Sequence, residues 1–542
     1  MTTECGGNTR SNGILTTSAG MNLVAGEERP GEGSPFRAID PTTGNFIGPS
    51  FRSASPADVA EAVESAVRVH LGGFMRTGLT IPLLRVTAQL LEESSEVIVT
   101  TSMSETGLHE ARLRGELERT ARQLRFLAEV AEKGERLDAT IDHISQKGVI
   151  TELRKVRLPI GPVVVFGASN FPLAFSVLGG DTASALAAGC PVIMKAHPAH
   201  PATSELCGRV LSHAIAQCGL DQGWFSLLQG NGPLVGTQLV QAAGIGAVAF
   251  TGSLRGGRSL FDLAVRRPDP IPVFAEMGSM NPVFVSSAAI RSRGKRICEQ
   301  LVESIAGSAG QLCTKPGLIF LPEGHECEVF ERDLSDAFEN RFAEHMLTRQ
   351  IKESLSTQIQ STSAMNGVDT LACQLERQND SGFLVAGRLF RTSLAVFRDQ
   401  PGLQIEHFGA SAILVSCPES EFAHVPHILK GSLAGSLFFE SEEEQDMAKI
   451  IISLAQRVGR VIVNDVPTGV SVARGMTHGG PYPATTSARD TSVGSAALDR
   501  FLRPVTFQDV PDPLLPLTLR SDNPLSISRS VDGNLNCTVI RR

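Results

Sequence analysis

The sequence predicts an α/β protein whose central part is a doubly wound parallel sheet. Short runs of β-branched and apolar residues alternate with helix-like segments over residues 163–265, as in sheets whose strands are joined by helices. Most of these runs are followed by glycine or polar residues, which is where such a sheet binds its ligand. The chain has 542 residues, more than one hydrophobic core usually supports, so we expect two or three domains.

Composition and charge exclude several classes of partner. Hydrophobic residues make up 42% of the chain and the net charge is -8, so no general basic field is available for nucleic acid or an anionic membrane. The first twenty residues lack the apolar segment of a signal peptide, and no uncharged apolar run is long enough to span a membrane. The 10 cysteines include no CxxC pair, which indicates reduced thiols in a cytoplasmic protein without a metal site.

The N-terminal part is predicted to be an arm followed by helices. Residues 1–35 are polar and glycine-rich, which suggests a loose arm or a first hairpin. Ser55-Pro56-Ala57-Asp58 is a good helix start, and apolar residues then recur at helical spacing as far as residue 132. Residues 36–140 should therefore pack mostly as helices.

Strand patterns begin near residue 142 and continue into the predicted sheet. Residues 150–156 largely alternate, and they precede a sharp change at Pro159-Ile160-Gly161-Pro162. The predicted parallel strands and their connecting helices then follow in chain order: strands at 163–166, 192–194, 224–228 and 247–250, with helices at 173–188, near 234–242 and from about 254.

The turns after these strands carry candidate ligand-binding residues. Lys195 follows one strand directly, and the segment from Gly252 to Gly257 forms GxxxxG at a strand-to-helix turn. Backbone N–H groups and the helix dipole can receive a phosphate there, and Ser253 can add a hydroxyl donor. Two glycines near a turn can also serve the turn conformation alone. This pattern by itself therefore does not establish a phosphate-binding site.

Two residues are candidates for acid–base and nucleophilic chemistry. Glu276 is a lone carboxylate among apolar residues, so it is either a structural hydrogen-bonding group or a general base. Cys313 lies between a glycine-bearing loop and an apolar run, so it should occupy a helix-to-strand turn where a thiolate could form. From its own neighbourhood, a plain buried cysteine is an equally good interpretation.

Six motifs in register resemble the aldehyde dehydrogenase superfamily over about residues 35–505. They are Asn170-Phe171-Pro172, Lys195, Phe250-Thr251-Gly252-Ser253 with Gly257, Glu276-Met277-Gly278, Gly310-Gln311-Leu312-Cys313 and Glu406-His407-Phe408-Gly409. The order and rough spacing of the whole set are far more specific than any one motif, and the resemblance favours the catalytic interpretations of Cys313 and Glu276.

The resemblance implies a mechanism with a covalent intermediate. Cys313 as thiolate would add to the aldehyde carbon, with the oxyanion held by the Asn170 amide and the Cys313 backbone N–H. Hydride transfer to a nicotinamide would leave a thioester, and Glu276 would activate the water that hydrolyses it. We expect apolar neighbours such as Phe274 and Met277 to raise the pKa of Glu276.

The resemblance also implies a dinucleotide site. Lys195 and Ser253 would contact the ribose and phosphates, Glu406 the nicotinamide ribose, and Phe408 the side of the ring. Family members that favour NAD typically carry a glutamate three residues after the lysine, and here that position is Pro198. Because no carboxylate repels a 2′-phosphate there, we expect NADP to be accepted and preferred, with NAD as the alternative.

The C-terminal motifs differ from the common family pattern and point to a substrate. Gly278-Ser279-Met280 and Gly409-Ala410 replace the usual Gly-Gly-Lys and Gly-Pro, without removing a reacting atom. The stretch from Met476 to Thr486 resembles the branch that holds α-ketoglutaric semialdehyde (2,5-dioxovalerate) dehydrogenases and certain bacterial fatty-aldehyde dehydrogenases. We expect 2,5-dioxopentanoate to be oxidised to 2-oxoglutarate in the breakdown of sugar acids or hydroxyproline, with Arg474 binding the distal carboxylate.

Two alternatives stay open beside this substrate: a dehydrogenase of fatty or other aldehydes, and a non-catalytic member of the fold. Loss of Cys313, Glu276 or Asn170 would favour the non-catalytic interpretation, and all three are present.

The resemblance finally implies a domain arrangement and an oligomer. Residues 36–140 and 161–284 would form the dinucleotide-binding domain and 285–495 an α/β catalytic domain. Residues 141–160 and 496–516 would form a small oligomerisation arm used in a homodimer or homotetramer. Residues 517–542 match no motif and read as a polar tail of unknown use.

Overall fold

The computed structural model describes residues 17–73, 78–376 and 381–536. The first sixteen residues of the predicted N-terminal arm and the last six of the predicted tail lie outside the described residues. Three sheets of five or more strands organise the described part of the chain, together with a two-stranded ribbon of Pro35–Ile39 and Phe46–Arg52. The α/β class predicted from the sequence is confirmed.

The first sheet has seven strands, and the first five in spatial order are parallel. In spatial order they are Val273–Glu276, Ala247–Thr251, Val163–Phe166, Val192–Lys195, Phe225–Leu228, Asn22–Val24 and Glu27–Arg29. The chain reverses its direction of winding between Val163–Phe166 and Ala247–Thr251, which is the switch point where a doubly wound sheet binds its ligand. Part of the predicted arm is thus a hairpin at the edge of this sheet.

Helices cover both faces of the first sheet because each buries an apolar stripe against it. They are Pro56–Gly73, Ile81–Glu93, Ser95–Thr106, Glu110–Glu132, Gly180–Ala187, Pro201–Gln217, Leu234–Gln241 and Leu254–Val265. The helix predicted at 173–188 is shorter than expected, because residues 171–179 form turns before Gly180.

The second sheet also has seven strands, and all but the first in spatial order run parallel to their neighbours. In spatial order they are Val368–Cys373, Arg388–Ser393, Ser411–Ser416, Leu318–Leu321, Val283–Val285, Ser432–Phe438 and Val458–Val463. Its helices are Ser287–Ala306, His325–Glu339, Arg349–Ser363, Leu394–Asp399 and Glu444–Ala455.

The third sheet combines the predicted oligomerisation arm with the predicted C-terminal tail. Its five strands, in spatial order, are Leu502–Gln508, Val149–Pro159, Thr140–Gln146, Arg529–Val531 and Asn534–Asn536. The description of residues 517–542 as a mere polar tail is therefore wrong for its described part. Leu519 and Ile527 are buried against this sheet, which short polar-rich sequence patterns do not reveal.

Short 3₁₀ helices connect many of these elements, at Gln222–Trp224, Gly307–Gly310, Pro401–Gln404, Glu419–Glu421, Val425–Ile428, Ser441–Glu443, Ser495–Phe501, Asp512–Leu514 and Leu517–Leu519. Among the described residues, no helix has the length and apolar character needed to cross a membrane.

Candidate active site

Cys313 lies on the turn between a long helix and a buried strand, as the sequence predicted. Helix Ser287–Ala306 ends just before Ser308 and Ala309, both of which have φ of 55°. Left-handed conformations at two consecutive non-glycine residues are strained and indicate that the surrounding structure holds the turn. Asn281 fixes the far side, donating from Nδ2 to the carbonyl oxygens of Cys313 and Lys315 at 2.8 and 2.9 Å.

A histidine that the sequence analysis gave no role joins the two predicted catalytic residues. His478 Nε2 lies 2.9 Å from Glu276 Oε1 and 3.5 Å from Cys313 Sγ. A carboxylate only accepts hydrogen bonds, so Nε2 carries a proton here, and that proton faces both the oxygen and the sulfur. Ser492 donates its hydroxyl to Glu276 Oε2 at 3.1 Å. His478 is 202 residues from Glu276, so only its place in an unusual C-terminal motif hinted at a role.

The electrostatics of this group differ from the sequence expectation. Burial alone would raise the pKa of Glu276, but the charge and hydrogen bond of His478, together with hydrogen bonds from Cys313 and Ser492, outweigh it and hold that pKa below its usual value. The prediction of a raised pKa is therefore wrong for this structure, because it considered apolar neighbours and missed the histidine. Burial, with the adjacent Glu276 charge, raises the pKa of the Cys313 thiol, so the thiol form is favoured before reaction.

Asn170 lies beside this group on the segment that follows Val163–Phe166. Its side-chain Nδ2 donates to the carbonyl oxygen of Gln311 at 2.8 Å, two residues before Cys313. Arg112 donates to its backbone carbonyl at 2.6 Å and so holds the segment from behind. An amide nitrogen has two hydrogens, so one N–H of Asn170 is available to an oxyanion formed at Cys313.

A cavity of about 1150 Å³ opens at the switch point of the first sheet and reaches Cys313, Glu276 and Asn170. Residues predicted to bind the cofactor also line it, namely Pro198, Gly252, Ser253, Glu406 and Phe408. Its size and its position at the carboxyl ends of parallel strands suit a dinucleotide.

The turn at Ser253 opens a helix at the lining of the large cavity. Ser253 is the N-cap of helix Leu254–Val265 and accepts from the Gly256 N–H at 3.2 Å. The Gly252 N–H donates to the Glu276 carbonyl at 3.0 Å, which ties this turn to the catalytic strand. Gly257 lies outside the cavity lining, and a Cβ there would come within 2.6 Å of Met277 Sδ. Gly257 therefore allows the close packing of helix and strand instead of contacting the ligand.

Two of the predicted cofactor contacts are themselves buried charges. Lys195 Nζ donates to the carbonyl oxygens of Ala196 and Gly230, both at 2.7 Å, and the residue does not line the cavity. Burial lowers the pKa of Lys195 to about 8. Because its amine donates to two backbone carbonyl oxygens, it is turned away from a ligand in this conformation. Burial raises the pKa of Glu406, while the charge of Lys315 opposes that rise.

Arg474 is not brought to the site. Its guanidinium forms ion pairs with Glu129 and Glu135 at 3.2 and 3.0 Å on the protein surface, over the ring of Phe126. The residue does not line the large cavity. The substrate role predicted for Arg474 is therefore wrong in this structure, because two acidic partners on the preceding helical region were invisible in the local sequence.

The catalytic group also has the chemistry of a metal site. The ligand atoms of Glu276, Cys313 and His478 all lie within 4.8 Å of one another. A thiolate, an imidazole and a carboxylate are the ligands that Zn²⁺ prefers. A bound ion would occupy the sulfur needed for nucleophilic attack, so such a site would block covalent chemistry.

A second, small cavity lies beside Glu276. It measures about 20 Å³ and is lined by Glu276, His478, Ser492, Thr485 and Asp490, among others. This volume is about that of one water molecule, and the lining also includes the apolar Phe250, Phe274 and Ala275.

Comparisons with known proteins agree with this geometry. Residues 29–504 match the model of the Aldehyde dehydrogenase family. The chain is 41% identical to alpha-ketoglutaric semialdehyde dehydrogenase 2 of Azospirillum brasilense, an alignment that covers 95% of this chain and 99% of that protein. It is 36% identical to alpha-ketoglutaric semialdehyde dehydrogenase of Acinetobacter baylyi, over 96% of this chain and 99% of that protein.

Solved structures show the same fold. An aldehyde dehydrogenase structure from Burkholderia cenocepacia aligns with a TM-score of 0.76 at 20% identity, over 90% of this chain and 99% of that chain. Betaine aldehyde dehydrogenase from Staphylococcus aureus in complex with NAD⁺ aligns with a TM-score of 0.78 at 18% identity, over 92% and 97%. At such low identity these likenesses show the fold alone.

Proposed function

The chain belongs to the aldehyde dehydrogenase family, and on that premise we propose that it oxidises 2,5-dioxopentanoate to 2-oxoglutarate with NADP. The NAD(P)-dependent oxidation of an aldehyde follows from the family, while the substrate and the choice of dinucleotide are the proposal. One observation supports this choice of substrate. Two relatives that align over nearly the full chain, at 41% and 36% identity, are named alpha-ketoglutaric semialdehyde dehydrogenases.

Acylation begins with removal of the Cys313 proton. The Glu276 carboxylate lies within 4.8 Å of Sγ and takes this proton, and the Nε2–H of His478 then stabilises the thiolate at 3.5 Å. Sγ forms a bond to the aldehyde carbon, and the free N–H of Asn170 and the Cys313 backbone N–H hold the oxyanion. A nicotinamide dinucleotide held in the large cavity by residues such as Ser253, Glu406 and Phe408 would supply the hydride acceptor, and the acyl group would remain on Sγ as a thioester.

Deacylation requires Glu276 to act as a base a second time. Glu276 first loses the proton it took, and the one-water cavity behind it offers a route by way of His478 and Ser492. It then removes a proton from a water that attacks the thioester carbon, and Sγ leaves and is reprotonated. The net reaction consumes aldehyde, water and oxidised dinucleotide, and it yields acid, reduced dinucleotide and a proton.

A comparison of substrates tests the assignment. The rate constant kcat/KM is measured with 2,5-dioxopentanoate, succinic semialdehyde and a straight-chain aldehyde of ten to fourteen carbons, each with NADP. We expect the highest value for 2,5-dioxopentanoate. A higher value for the long-chain aldehyde would reject the assignment and favour a fatty-aldehyde dehydrogenase, and no turnover of any aldehyde would favour a non-catalytic member of the fold.

The dinucleotide preference is proposed from the lining of the large cavity. Pro198 lines it and offers neither a hydrogen-bond acceptor nor a negative charge to the adenosine ribose. Arg37 and Arg255 line the same cavity and add positive charge. Lys195 contributes no charge to this cavity, because its amine is turned to two backbone carbonyl oxygens.

Replacing the proline by an acid tests this preference. Pro198→Glu should lower kcat/KM with NADP and leave or improve it with NAD, because a carboxylate repels the 2′-phosphate and accepts from the ribose hydroxyls. Pro198→Gln is the matched neutral control. A wild-type enzyme that strongly prefers NAD would contradict the proposal.

We also propose that the protein is a homodimer or homotetramer assembled through the third sheet. The hairpin of this sheet exposes Val149 and Ile150 at 66% and 69%, and its last strand exposes Leu535 at 83%. Apolar side chains this exposed at a sheet rim suit contact with a second copy.

A further inference from the structure

An apolar cluster lies next to His478 and outside the lining of the large cavity. It consists of Phe171, Phe175, Val470, Met476 and Val493 with their small neighbours. The Phe175 ring centroid is 5.9 Å from that of His478 and 5.3 Å from that of Phe171. The cluster adjoins the catalytic group through the Phe175–His478 contact, on a side of Cys313 that a dinucleotide in the large cavity would leave to the aldehyde.

Arg119 is a cation within this apolar surrounding. Its guanidinium lies over the Phe175 ring, 5.1 Å from the centroid. Nε donates to the Val470 carbonyl at 3.3 Å, and Nη1 donates to Gln123 Oε1 at 3.1 Å. Nη2 is buried and has no hydrogen-bond partner among the described residues. A buried N–H without an acceptor costs free energy, so Nη2 is in a position to gain from a ligand oxygen.

The charge of Arg119 is also not neutralised by a close partner. Among residues 17–73, 78–376 and 381–536, no carboxylate lies within ion-pair distance of it. Glu116, one helical turn away, directs Oε1 to the backbone N–H groups of Leu173 and Ala174 at 2.8 Å each. Burial lowers the pKa of Arg119, while the charges of Glu116 and Cys313 raise it. The guanidinium is therefore close enough to Cys313 to interact with it electrostatically.

Other arginines near the site are occupied. Arg112 donates to the Asn170 carbonyl at 2.6 Å, and Arg460 donates to the Gly469 and Pro467 carbonyls at 2.7 and 2.5 Å. Arg474, the sequence-based candidate, is held by two glutamates at the surface. Arg119 combines a buried unpaired N–H with a position beside the ring that contacts His478.

We propose that Arg119 is the specificity-determining residue for the acid end of the substrate, and that its Nη2 binds the distal carboxylate of an ω-oxo acid whose aldehyde carbon lies at Cys313. This inference rests on the proposed function and replaces Arg474 in it. A carboxylate satisfies the orphaned N–H and pairs with the buried charge, whereas an uncharged aldehyde of equal length does neither. Arg119 would thus act on binding and orientation and take no part in bond making.

The experiment compares Arg119→Gln with wild type on three aldehydes of equal chain length: 2,5-dioxopentanoate, glutaric semialdehyde and pentanal. Gln retains a side-chain amide that can donate to the Val470 carbonyl, and turnover of pentanal shows that the variant is folded and acylated normally. Arg474→Gln is the matched control, since it removes an arginine of the same region that is paired at the surface. Arg119→Lys tests partial rescue by charge without the guanidinium geometry.

We expect Arg119→Gln to lose about 30-fold or more in kcat/KM for both acids, mainly through KM, as when one partner of a buried charge pair is removed. Pentanal should change by less than about threefold, within the range of neutral substitutions. If wild type prefers the acids and Arg119→Gln keeps that preference, Arg119 is not the carboxylate site and the substrate assignment stands. If wild type shows no preference for the acids over pentanal, the proposed substrate fails, and this inference fails with it.

Discussion

At the scale of single residues, the reacting group is a set of three side chains in which each alters the others. His478 lowers the pKa of Glu276 by its charge and its hydrogen bond, and Glu276 in turn helps to raise the pKa of the Cys313 thiol. The carboxylate is therefore ionised and ready to accept a proton, while the sulfur keeps its proton until a substrate is present. Such an arrangement protects a reactive cysteine from oxidation, because the thiolate is the vulnerable form.

Replacing the histidine should change the pH dependence in a defined direction. Glu276 acts as a base only above its pKa, and His478→Gln removes the charge that lowers this pKa while retaining a hydrogen-bond donor. The acidic limb of the kcat–pH profile should move to higher pH, so kcat at acidic pH should fall more than kcat on the alkaline plateau. Ser492→Ala, which removes a neutral donor to the same carboxylate, should shift the limb less. An unchanged limb, or one displaced to lower pH, would reject the role of His478.

The same three side chains predict sensitivity to zinc. Micromolar Zn²⁺ should inhibit aldehyde oxidation reversibly, because it can bind the sulfur, the imidazole and the carboxylate that lie within 4.8 Å of one another. EDTA should restore the inhibited enzyme and leave the untreated enzyme at full rate, and His478→Gln should need more Zn²⁺ for the same inhibition. Loss of activity on treatment with EDTA alone would show that a metal takes part in the reaction.

The sequence could identify residues whose role is indicated by a motif of adjacent residues. Cys313 and Glu276 carry local motifs and were placed correctly beside each other by the resemblance. His478 contacts Cys313, more than one hundred and fifty residues away, and Arg119 donates to the backbone carbonyl of Val470, more than three hundred residues away. No local pattern shows either contact. Arg474 failed for the same reason, since Glu129 and Glu135 that pair with it come from a distant part of the chain.

At the scale of elements, the turn from Gly307 to Gly310 sets the position of the nucleophile. Gly310 has φ of 68°, and a Cβ on it would come within 2.3 Å of the Gly409 and Ala410 backbone. The turn thus packs directly on the segment that carries Glu406 and Phe408. Any displacement of one would move the other.

Gly310→Ala should therefore lower both stability and activity. We expect a loss of about 1–3 kcal/mol in the free energy of unfolding, because the residue would be strained and would contact backbone that cannot yield. Thermal denaturation and kcat/KM are the measurements. Gly475→Ala is the matched control, since a Cβ there meets no atom within 4 Å, and its effect should stay within about 0.5 kcal/mol. Equal melting temperatures for the two variants would contradict this account of the turn.

Elements with a strong local signal were predicted well, and those defined by packing were not. The parallel strands of the first sheet read as β-branched runs because both faces are buried. The strands Arg529–Val531 and Asn534–Asn536 are only three residues each, so their sequence resembles any polar segment. The pairing of Arg529–Val531 with Thr140–Gln146 is a long-range contact that only the fold provides.

At the scale of the whole molecule, the C-terminal segment packs against the third sheet and completes it. Arg154 is buried beneath it and donates to Glu152, Asp512, the Leu519 carbonyl and Ser521. Such a network fixes residues 512–521 against the hairpin that we propose for oligomerisation.

Deleting residues 517–542 should destabilise the protein and weaken the oligomer. The deletion removes the buried Leu519 and Ile527, each worth about 1.5–3 kcal/mol of burial, and leaves Arg154 without two of its acceptors. Light scattering after size exclusion, together with thermal denaturation, should show a lower melting temperature and a smaller mass. Leu514→Ala, at a side chain that is 69% exposed, should leave both unchanged. A deleted protein with the native mass and melting temperature would show that the segment is dispensable.

The division of labour between Cys313 and Glu276 is tested most directly by the time course of NADPH formation in the Glu276→Gln variant, followed by stopped-flow absorbance with 2,5-dioxopentanoate. In Glu276→Gln the charge that helps to raise the pKa of the Cys313 thiol is gone, so the thiol can lose its proton to water and acylation proceeds, whereas release of the acid still needs the base. The account therefore predicts a burst of about one equivalent per active site followed by almost no turnover, and no burst in Cys313→Ala. Steady turnover by Glu276→Gln at the wild-type rate would contradict it.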